Sequence, residues 1–499
     1  MKHTGKPNTW ERMLAVVSPK KALERYCYRT ALERSVYAAA NQGRVSEGWT
    51  TLNGTAETMN RAERDIVRAR ARDLERNSDM LPAEILALER NVVGTGIVLQ
   101  AKIAGDDSGE DEELNSRIEE LWKLWCRPEN CDITGRMSFS EMQQMVVRRR
   151  FVDGGVLIIK VYENDQLRLQ MLEVDDLDTT LQMAGSNRVV GGIEINAYGR
   201  PLAYHIKEAD VYGFTAKSVR VAADRVIYLP ILTRPKQVRE FSPAAPSLPR
   251  IDDVNEFISS AVEKERVLSY LSVFIESTGL GGGFGGLGRG VQTNSGGGGY
   301  SSNERVLEQG AIVNLAPGEK VSTINPSGVS STAHDMVRLT QRLAGSSAGL
   351  SYEATSRDMS QVNYSSARQG MLEDQRTYKQ WQQYLITHLC DNVYLEWLDW
   401  MVMSGRLSLK NYFRDKPKYQ RHTWIASGWE WIDPVKESNA NAKALETNQK
   451  TLQEICSEKG KDWRDVIRQR AIEKQLIQEM QTEEGEEQPS AKKNTILNN

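Results

Sequence analysis

Apolar residues recur every three or four positions through the first part of the chain, every second position from Val156 to Leu229, and every three or four again from Ile251 onward. That alternation predicts helices, then a compact group of strands, then helices once more. From Asn60 to Asn77 the arginines Arg61, Arg64, Arg68, Arg72 and Arg76 share one helix face, with acidic residues interspersed. The spacing predicts a solvated or subunit-facing stripe rather than a DNA contact. A second helix is expected from Pro82, a residue suited to a first turn. It should end toward Val92–Gly96, where Gly94 and Gly96 permit a sharp exit into a strand.

The runs GVLIIKV, LRLQMLEV, VVGGIEIN and PLAYHI, with the turn Gly199-Arg200-Pro201, predict a small mixed sheet against the earlier helices. RVIYLPIL adds a strand before a loop near Arg234. A helix is expected from about Ile251 to Glu276, then a segment about half glycine, Gly279 to Tyr300, that cannot recover its ordering entropy by burial. GAIVNLAPGEKV reads as a strand, Thr332–Ala344 as a short helix, and Asn363–Met403 as one long helix. In the last, Trp381, Leu385, Leu389, Val393, Trp397 and Met401 recur every four residues as a buried ridge. A final helical region, Pro434 to Met480, precedes a tail with the composition of disorder.

The 499 residues are 39% hydrophobic and 26% charged, ordinary globular usage that permits a large core in a helix-rich, mixed α+β fold. A net charge of -3 excludes a generic basic DNA-coating protein. Cys27, Cys126, Cys131, Cys390 and Cys456 are too sparse for a disulfide framework, which predicts a reducing compartment. Cys126 and Cys131 have poor zinc spacing, so no metal or cofactor is expected. No apolar run approaches bilayer length, and the N-terminal stretch lacks a signal-peptide core, so no membrane partner is expected either.

Enzyme motifs fail. The glycine segment lacks the lysine and the strand–helix context of a phosphate loop. His3, His205, His334, His388 and His422 form no metal or nucleophile pattern, and His388 reads as a packed or hydrogen-bonded core residue. Asp175, Asp176 and Asp178 read as a solvated acidic turn rather than a metal site. The tryptophans Trp397, Trp400, Trp424, Trp429 and Trp431 read as packing rather than base-stacking platforms, which need accessible single strands.

The run Gly349 to Asp374, GLSYEATSRDMSQVNYSSARQGMLED, resembles the signature of lambda-type phage portal proteins. The matching positions are Leu350, Tyr352, Glu353, Asp358, Ser360, Asn363, Tyr364, Ser365, Ser366 and Arg368. Three further stretches resemble the family in the same order. RARARDLERN, with Arg72, Asp73, Arg76 and Asn77, leads into NVVGTGIVLQ; GIEINAYGRPLAYHI forms a hairpin; and WIDPVKE supplies Asp433 and Lys436. The resemblance covers most of Arg61 to about Glu473. It departs after the sheet, where the family's Arg-Pro-Gly-Gln-x-Arg-Gly becomes Arg234, Pro235, Lys236, Gln237, Val238, Arg239, Glu240, with both glycines replaced.

The resemblance implies a portal-protein fold of wing, stem, clip and crown, assembled as a homo-oligomeric ring of about twelve subunits. It divides the chain into a wing-like α/β domain (1–250), a first stem helix (251–278) and a clip with the Gly-rich insert (279–331). A second stem helix (332–344), a tunnel loop (345–362), the long helix (363–403), a C-terminal wing and crown (404–480) and a disordered tail (481–499) follow. It implies a non-enzymatic subunit of the virion's portal vertex, assembled in the host cytoplasm. Its partners would be double-stranded DNA bound non-specifically, the terminase large subunit, a head–tail adaptor, and capsid and scaffold proteins. In the tunnel loop, Ser346, Ser347, Ser351 and Arg357 are expected to approach DNA, the alternative being that Arg357 pairs with Asp358 or Glu353 of a neighbour. Asn363, Ser365 and Arg368 are expected to cap a helix and bridge subunits rather than touch DNA. A nuclease or ATPase of DNA packaging is the alternative of a different class, and a capsid or scaffold component without a channel is a third.

Overall fold

The computed structural model describes residues 9–22, 25, 53–105, 110–209, 215–270, 274–277, 319–322, 331–360, 363–429 and 434–486. The chain divides into two compact units, residues 1–62 and 63–499. The first holds α1 (Thr9–Val17) and α2 (Ala56–Asn60), the latter capped by the Thr55 hydroxyl, which accepts from the Thr58 amide.

The second unit opens with α3 (Arg64–Asn77) and α4 (Met80–Leu88), and α4 runs on through a π-helical turn, Glu89–Val93, toward β1 (Val98–Ala101). The arginine helix expected from Asn60 is therefore interrupted at residues 61–63. Gly94 and Gly96 make the exit with φ of +57° and +120°. A Cβ at Gly94 would also lie 2.6 Å from the Ser427 hydroxyl, so both shape and space require glycine there. Next come α5 (Glu112–Trp125), α6 (Pro128–Cys131) and α7 (Phe139–Val152), the last begun by a reciprocal Ser138–Glu141 capping box.

The strands differ from the single mixed sheet expected. They form two antiparallel sheets, one of β2 (Leu157–Glu163), β3 (Gln166–Leu172) and β9 (Val226–Tyr228) in the order β3-β2-β9. The other is a five-stranded run of β4 (Met183–Ala184), β5 (Asn187–Val190), β6 (Ile193–Ile195), β7 (Pro201–Ala209) and β8 (Thr215–Ala222). Short connections decide this, since a tight turn can join only antiparallel neighbours. Asn164 and Asp165, with φ of +49° and +59°, form the two-residue turn between β2 and β3, and Gly199, at +87°, serves the β6–β7 hairpin.

After the sheets, α8 (Leu248–Tyr270) stops before the expected Glu276. Phe274–Ser277 is instead β10, paired antiparallel with β11 (Glu319–Ser322). Aromatic and β-branched side chains at Phe274 and Ile275 favour a strand once a partner is present. Of the strand expected over GAIVNLAPGEKV only the end is β11; the remainder and the Gly279–Tyr300 insert lie outside the described residues. Helices α9 (Ser331–Ser347), α10 (Tyr352–Ser356), α11 (Tyr364–Leu385) and α12 (Asp391–Met403) follow, the last two joined by a second π turn at Ile386–Cys390. The chain ends with α13 (Lys416–Tyr419), β12 (His422–Ile425) paired to β1, α14 (Pro434–Glu446), α15 (Leu452–Glu458) and α16 (Trp463–Glu486). Helix α16 runs six residues into the stretch expected to be a disordered tail.

The main core gathers α3–α5, α7, one face of the three-stranded sheet and the ridge of α11–α12. Leu385, Leu389, Val393 and Trp397 are fully buried, as their spacing of four predicts. Trp122 anchors the packing, stacked on Trp125 at 5.0 Å and edge-on to Trp397 at 5.2 Å. Each such side chain contributes about 1.5–3 kcal/mol by leaving water. His388 departs from its expected packing: it is exposed, with its ring 4.4 Å from that of Tyr384. Among the described residues no helix is long and apolar enough to cross a membrane.

Candidate functional site

Two clusters concentrate the polar chemistry of the second unit. The first is a buried junction where α3 meets the Arg234–Glu240 loop. Arg64 and Arg68, expected on a solvated or subunit-facing stripe, are 5% and 4% exposed and point inward. Arg64 donates from Nε to the Glu240 carbonyl at 3.1 Å, and Arg68 reaches the Glu240 carboxylate at 3.2 Å and Asp175 at 2.9 Å. One turn on, Arg72 grips Asp153 with two donors, at 2.7 and 3.1 Å, and Asp175 at 2.7 Å. The helix period that put these residues on one face is correct, but the face belongs to the interior because carboxylates await it there.

Glu240 stands at the centre of the junction, fully buried. Arg239 lies against it with Nε 2.7 Å and Nη2 2.9 Å from the two carboxylate oxygens, and the Tyr228 hydroxyl donates to the same group. Burial alone would raise the Glu240 carboxyl, but the Arg239 guanidinium and the Tyr228 hydroxyl hold it down to about 2. Arg239 also donates to the carbonyls of Gly191 and Val174, pinning the loop to the β5–β6 turn and to the turn that follows β3. Glycine is required where the loop crosses its neighbours: a Cβ at Gly154 would lie 2.5 Å from the Phe241 carbonyl carbon. The loop's conformation is thus built around Glu240. Gln237, also buried, ties the loop to itself by accepting from the Thr233 amide at 3.0 Å and donating to the Arg239 carbonyl at 2.8 Å. Arg234 is exposed at the loop's edge.

The acidic turn expected to be solvated is part of this frame. Asp175 receives Arg68 and Arg72, Asp176 accepts from the Glu173 amide, and Asp178 is buried, accepting from Thr180. Among the described residues no group of three or more His, Cys, Asp or Glu could hold a metal ion. Asp73, Arg76 and Asn77 lie at the surface of α3, where Asn77 donates to Asp73 at 2.8 Å and Arg76 stands 3.7 Å from it.

The second cluster is the segment from α9 to α11, expected to contain a projecting loop at residues 345–362. It is more ordered than a loop. Ser346 and Ser347 occupy the exposed last turn of α9, and Gly349, at φ +73°, turns the chain beneath Thr377. Ser351 then caps α10, accepting from the Ala354 amide at 3.3 Å. Its own amide and hydroxyl donate to the buried Asp374 of α11, at 2.7 and 2.6 Å. Ser351 is thus bonded to a distant helix, whereas the Ser347 hydroxyl donates only to the Ala344 carbonyl of its own turn, at 2.8 Å. Burial raises the Asp374 carboxyl, against the pull of those two Ser351 hydrogen bonds.

Helix α10 ends at Arg357, an exposed residue in the left-handed region at φ +58°. Its neighbour Asp358 faces the other way, receiving Arg338 of α9 at 3.0 Å and the Tyr352 hydroxyl at 3.0 Å. Hydrogen bonds from Ser360 first, and from Tyr352, hold the Asp358 carboxyl down to about 2. No ion pair of Arg357 with Asp358 or Glu353 occurs within the subunit. Asn363 caps α11 as expected, accepting from the Ser366 amide at 2.8 Å, and Ser365 and Arg368 are exposed on the first turns. The Tyr364 side chain and Asp433 lie outside the described residues; Lys436 is exposed on α14. Sequence reasoning missed Asp153, Glu240 and Asp374 as organising groups, since each meets partners far along the chain.

Comparison with known proteins places these clusters in a family context. The sequence model described as "Phage portal protein, lambda family" matches residues 42–382, a span holding both clusters. A "Probable portal protein" of Halomonas phage phiHAP-1 is 27% identical over 87% of this chain and 85% of its own length. A "Portal protein" of Escherichia phage N15 is 20% identical over 85% of this chain and 87% of its own. Among solved structures, the neck of an empty gene transfer agent particle aligns with 70% of this chain and 93% of its own, at 14% identity and a TM-score of 0.38.

Proposed function

The chain belongs to the lambda family of phage portal proteins, and on that premise we propose that its copies close into a homo-oligomeric ring of about twelve at the capsid vertex. The ring encircles a channel through which double-stranded DNA passes during packaging and ejection. The terminase large subunit docks on it during packaging and a head–tail adaptor afterwards, with capsid and scaffold proteins around the rim. The family match over 42–382 carries this reading. Within it, α8 and α9 correspond to the stem, the β10–β11 pair belongs to the clip, and residues 345–362 face the channel.

The second cluster suits that position. Its fixed side, Ser351 with Asp374 and Asp358 with Arg338, is bonded inward, and its exposed side presents Ser346, Ser347 and Arg357. Each phosphate neutralised adds salt-dependent affinity, so a ring with many such contacts would act as a brake. One exposed guanidinium per subunit among small hydroxyls positions a moving duplex without retaining it. The chain contributes geometry to the process rather than bond-making. Arg357→Ala should change packaging yield or DNA retention while rings still assemble. Packaging at the wild-type level with intact rings would count against a channel-facing Arg357.

A further inference from the structure

Residues 406–421 carry six cations, Arg406, Lys410, Arg414, Lys416, Lys418 and Arg421, against the single carboxylate of Asp415, in a chain whose net charge is -3. Lys416 is committed to Asp399 at 2.8 Å. Lys410, Arg414 and Lys418 instead line a cleft of about 700 Å³ between this segment, the exit of β1 and the start of α5. We propose that this cleft is a second contact for duplex DNA, distinct from residues 345–362, in which the three cations hold the phosphate backbone.

Accessibility, rigidity and polarity together define that ligand. Lys410 and Arg414 are exposed and make no ion pair among the described residues, and Lys418 is half-buried. Their backbone is fixed. The buried Tyr412 donates its hydroxyl to Asp399 at 2.6 Å, Tyr419 donates to the Lys410 carbonyl at 2.8 Å, and Asn411 turns the chain at φ +57°. A frame ordered in advance lowers the cost of binding. The apolar side chains of the lining offer no anchor, since Ile103 and Tyr419 are buried and Leu114 and Leu409 half-buried. Protein interfaces have an apolar, charge-depleted core, whereas DNA interfaces are polar and positively charged. The lining therefore fits phosphates better than an acidic protein. Two carboxylates share it: Asp111, which caps α5 by accepting from the Leu114 amide at 3.1 Å, and the exposed Asp415. They offset part of the positive charge, so the contact is weak and salt-sensitive. Repeated around a ring, three cations per subunit would slow a sliding duplex, so the contact suits DNA at rest rather than DNA in transit.

This inference rests on duplex DNA being the cargo, but its test needs neither a particle nor a closed ring. Binding of a short fluorescent duplex to the full-length protein is read by anisotropy between about 50 and 200 mM salt. With three phosphates neutralised, affinity should fall about 40-fold across that range. The triple variant Lys410→Gln, Arg414→Gln, Lys418→Gln should bind more weakly and lose most of that salt dependence, while Arg357→Ala keeps both. Asp415→Asn removes an opposing charge and should bind more tightly, a gain that damage to the fold cannot produce. Binding unchanged in the triple variant, or lost in Arg357→Ala, overturns the cleft. So does polyglutamate that competes as well as DNA at equal charge, which would make the occupant an acidic protein. Closed rings whose triple variant binds DNA unchanged would sink the cleft and leave the proposed function standing. Cleft binding by a protein that never closes into rings would do the reverse.

Discussion

The junction around Glu240 and the segment from Ser331 to Leu385 both pair arginines with carboxylates, but in opposite surroundings. At the junction Arg68 and Glu240 are almost wholly excluded from water. In the segment the Arg338 and Asp358 side chains are 30% and 29% exposed, and Met336, Leu339, Leu343 and Met359 show apolar surface beside them. A buried ion pair contributes modestly as a pair but is costly to break, because the survivor is a bare charge in a poor solvent. A half-exposed pair is cheap to exchange, because water replaces the lost partner. The same chemistry therefore fixes shape in one place and permits movement in the other.

The largest effect that sharpens this contrast should come from Glu240→Gln. It leaves Arg68 and Arg239 short of a counter-charge and should destabilise the protein by about 3–5 kcal/mol in denaturant unfolding; a loss under about 1 kcal/mol would erase the distinction. Because the Glu240 carboxyl is held down to about 2, its contribution is present above its ordinary value of 4.5 and is lost as pH falls toward 2. Glu84 of α4 runs the opposite way. It is 2% exposed, one carboxylate oxygen has no partner, and burial raises it to about 8. It is protonated in the fold and ionised in the unfolded chain at neutral pH. Stability should therefore fall by about 1.4 kcal/mol per pH unit between 4.5 and 8. Glu84→Gln should flatten that slope in unfolding measured across pH, and an unchanged slope would place the titrating group elsewhere.

Smaller effects belong to the segment. Ser351→Ala removes a helix cap and one bond to Asp374 and should cost about 1 kcal/mol. Hydrogen exchange should report it as faster opening of residues 350–358, with the junction around Glu240 unmoved. Uniform acceleration across both regions would show them to be one cooperative block. Arg357→Ala, at an exposed position with no ion-pair partner among the described residues, should leave Tm unchanged.

Local periodicity made much of this legible in the sequence. The four-residue spacing of Leu385, Leu389, Val393 and Trp397 gave a buried ridge, and turn residues such as Gly199 placed the hairpins. The period of the arginines in α3 was legible too, but not their direction. Arg68 faces inward because Glu240 lies 172 residues away, a pairing that no local pattern encodes. Phe274–Ser277 continued an apolar helical stripe, and only a partner beyond the glycine insert made it a strand. In the segment from Ser331 to Leu385 the motif frame located Asn363 as a cap. It could not show that Ser351 turns toward Asp374 while Ser346 and Ser347 face outward, because that depends on where α11 packs.

The most direct test is electron cryomicroscopy of the purified full-length protein, with three-dimensional averaging. The account predicts closed rings around an open axis wide enough for duplex DNA, with Ser346 and Arg357 on the inner wall and the Glu240 junction away from it. Compact monomers at every concentration, or rings with residues 345–362 on the outer surface, would contradict it.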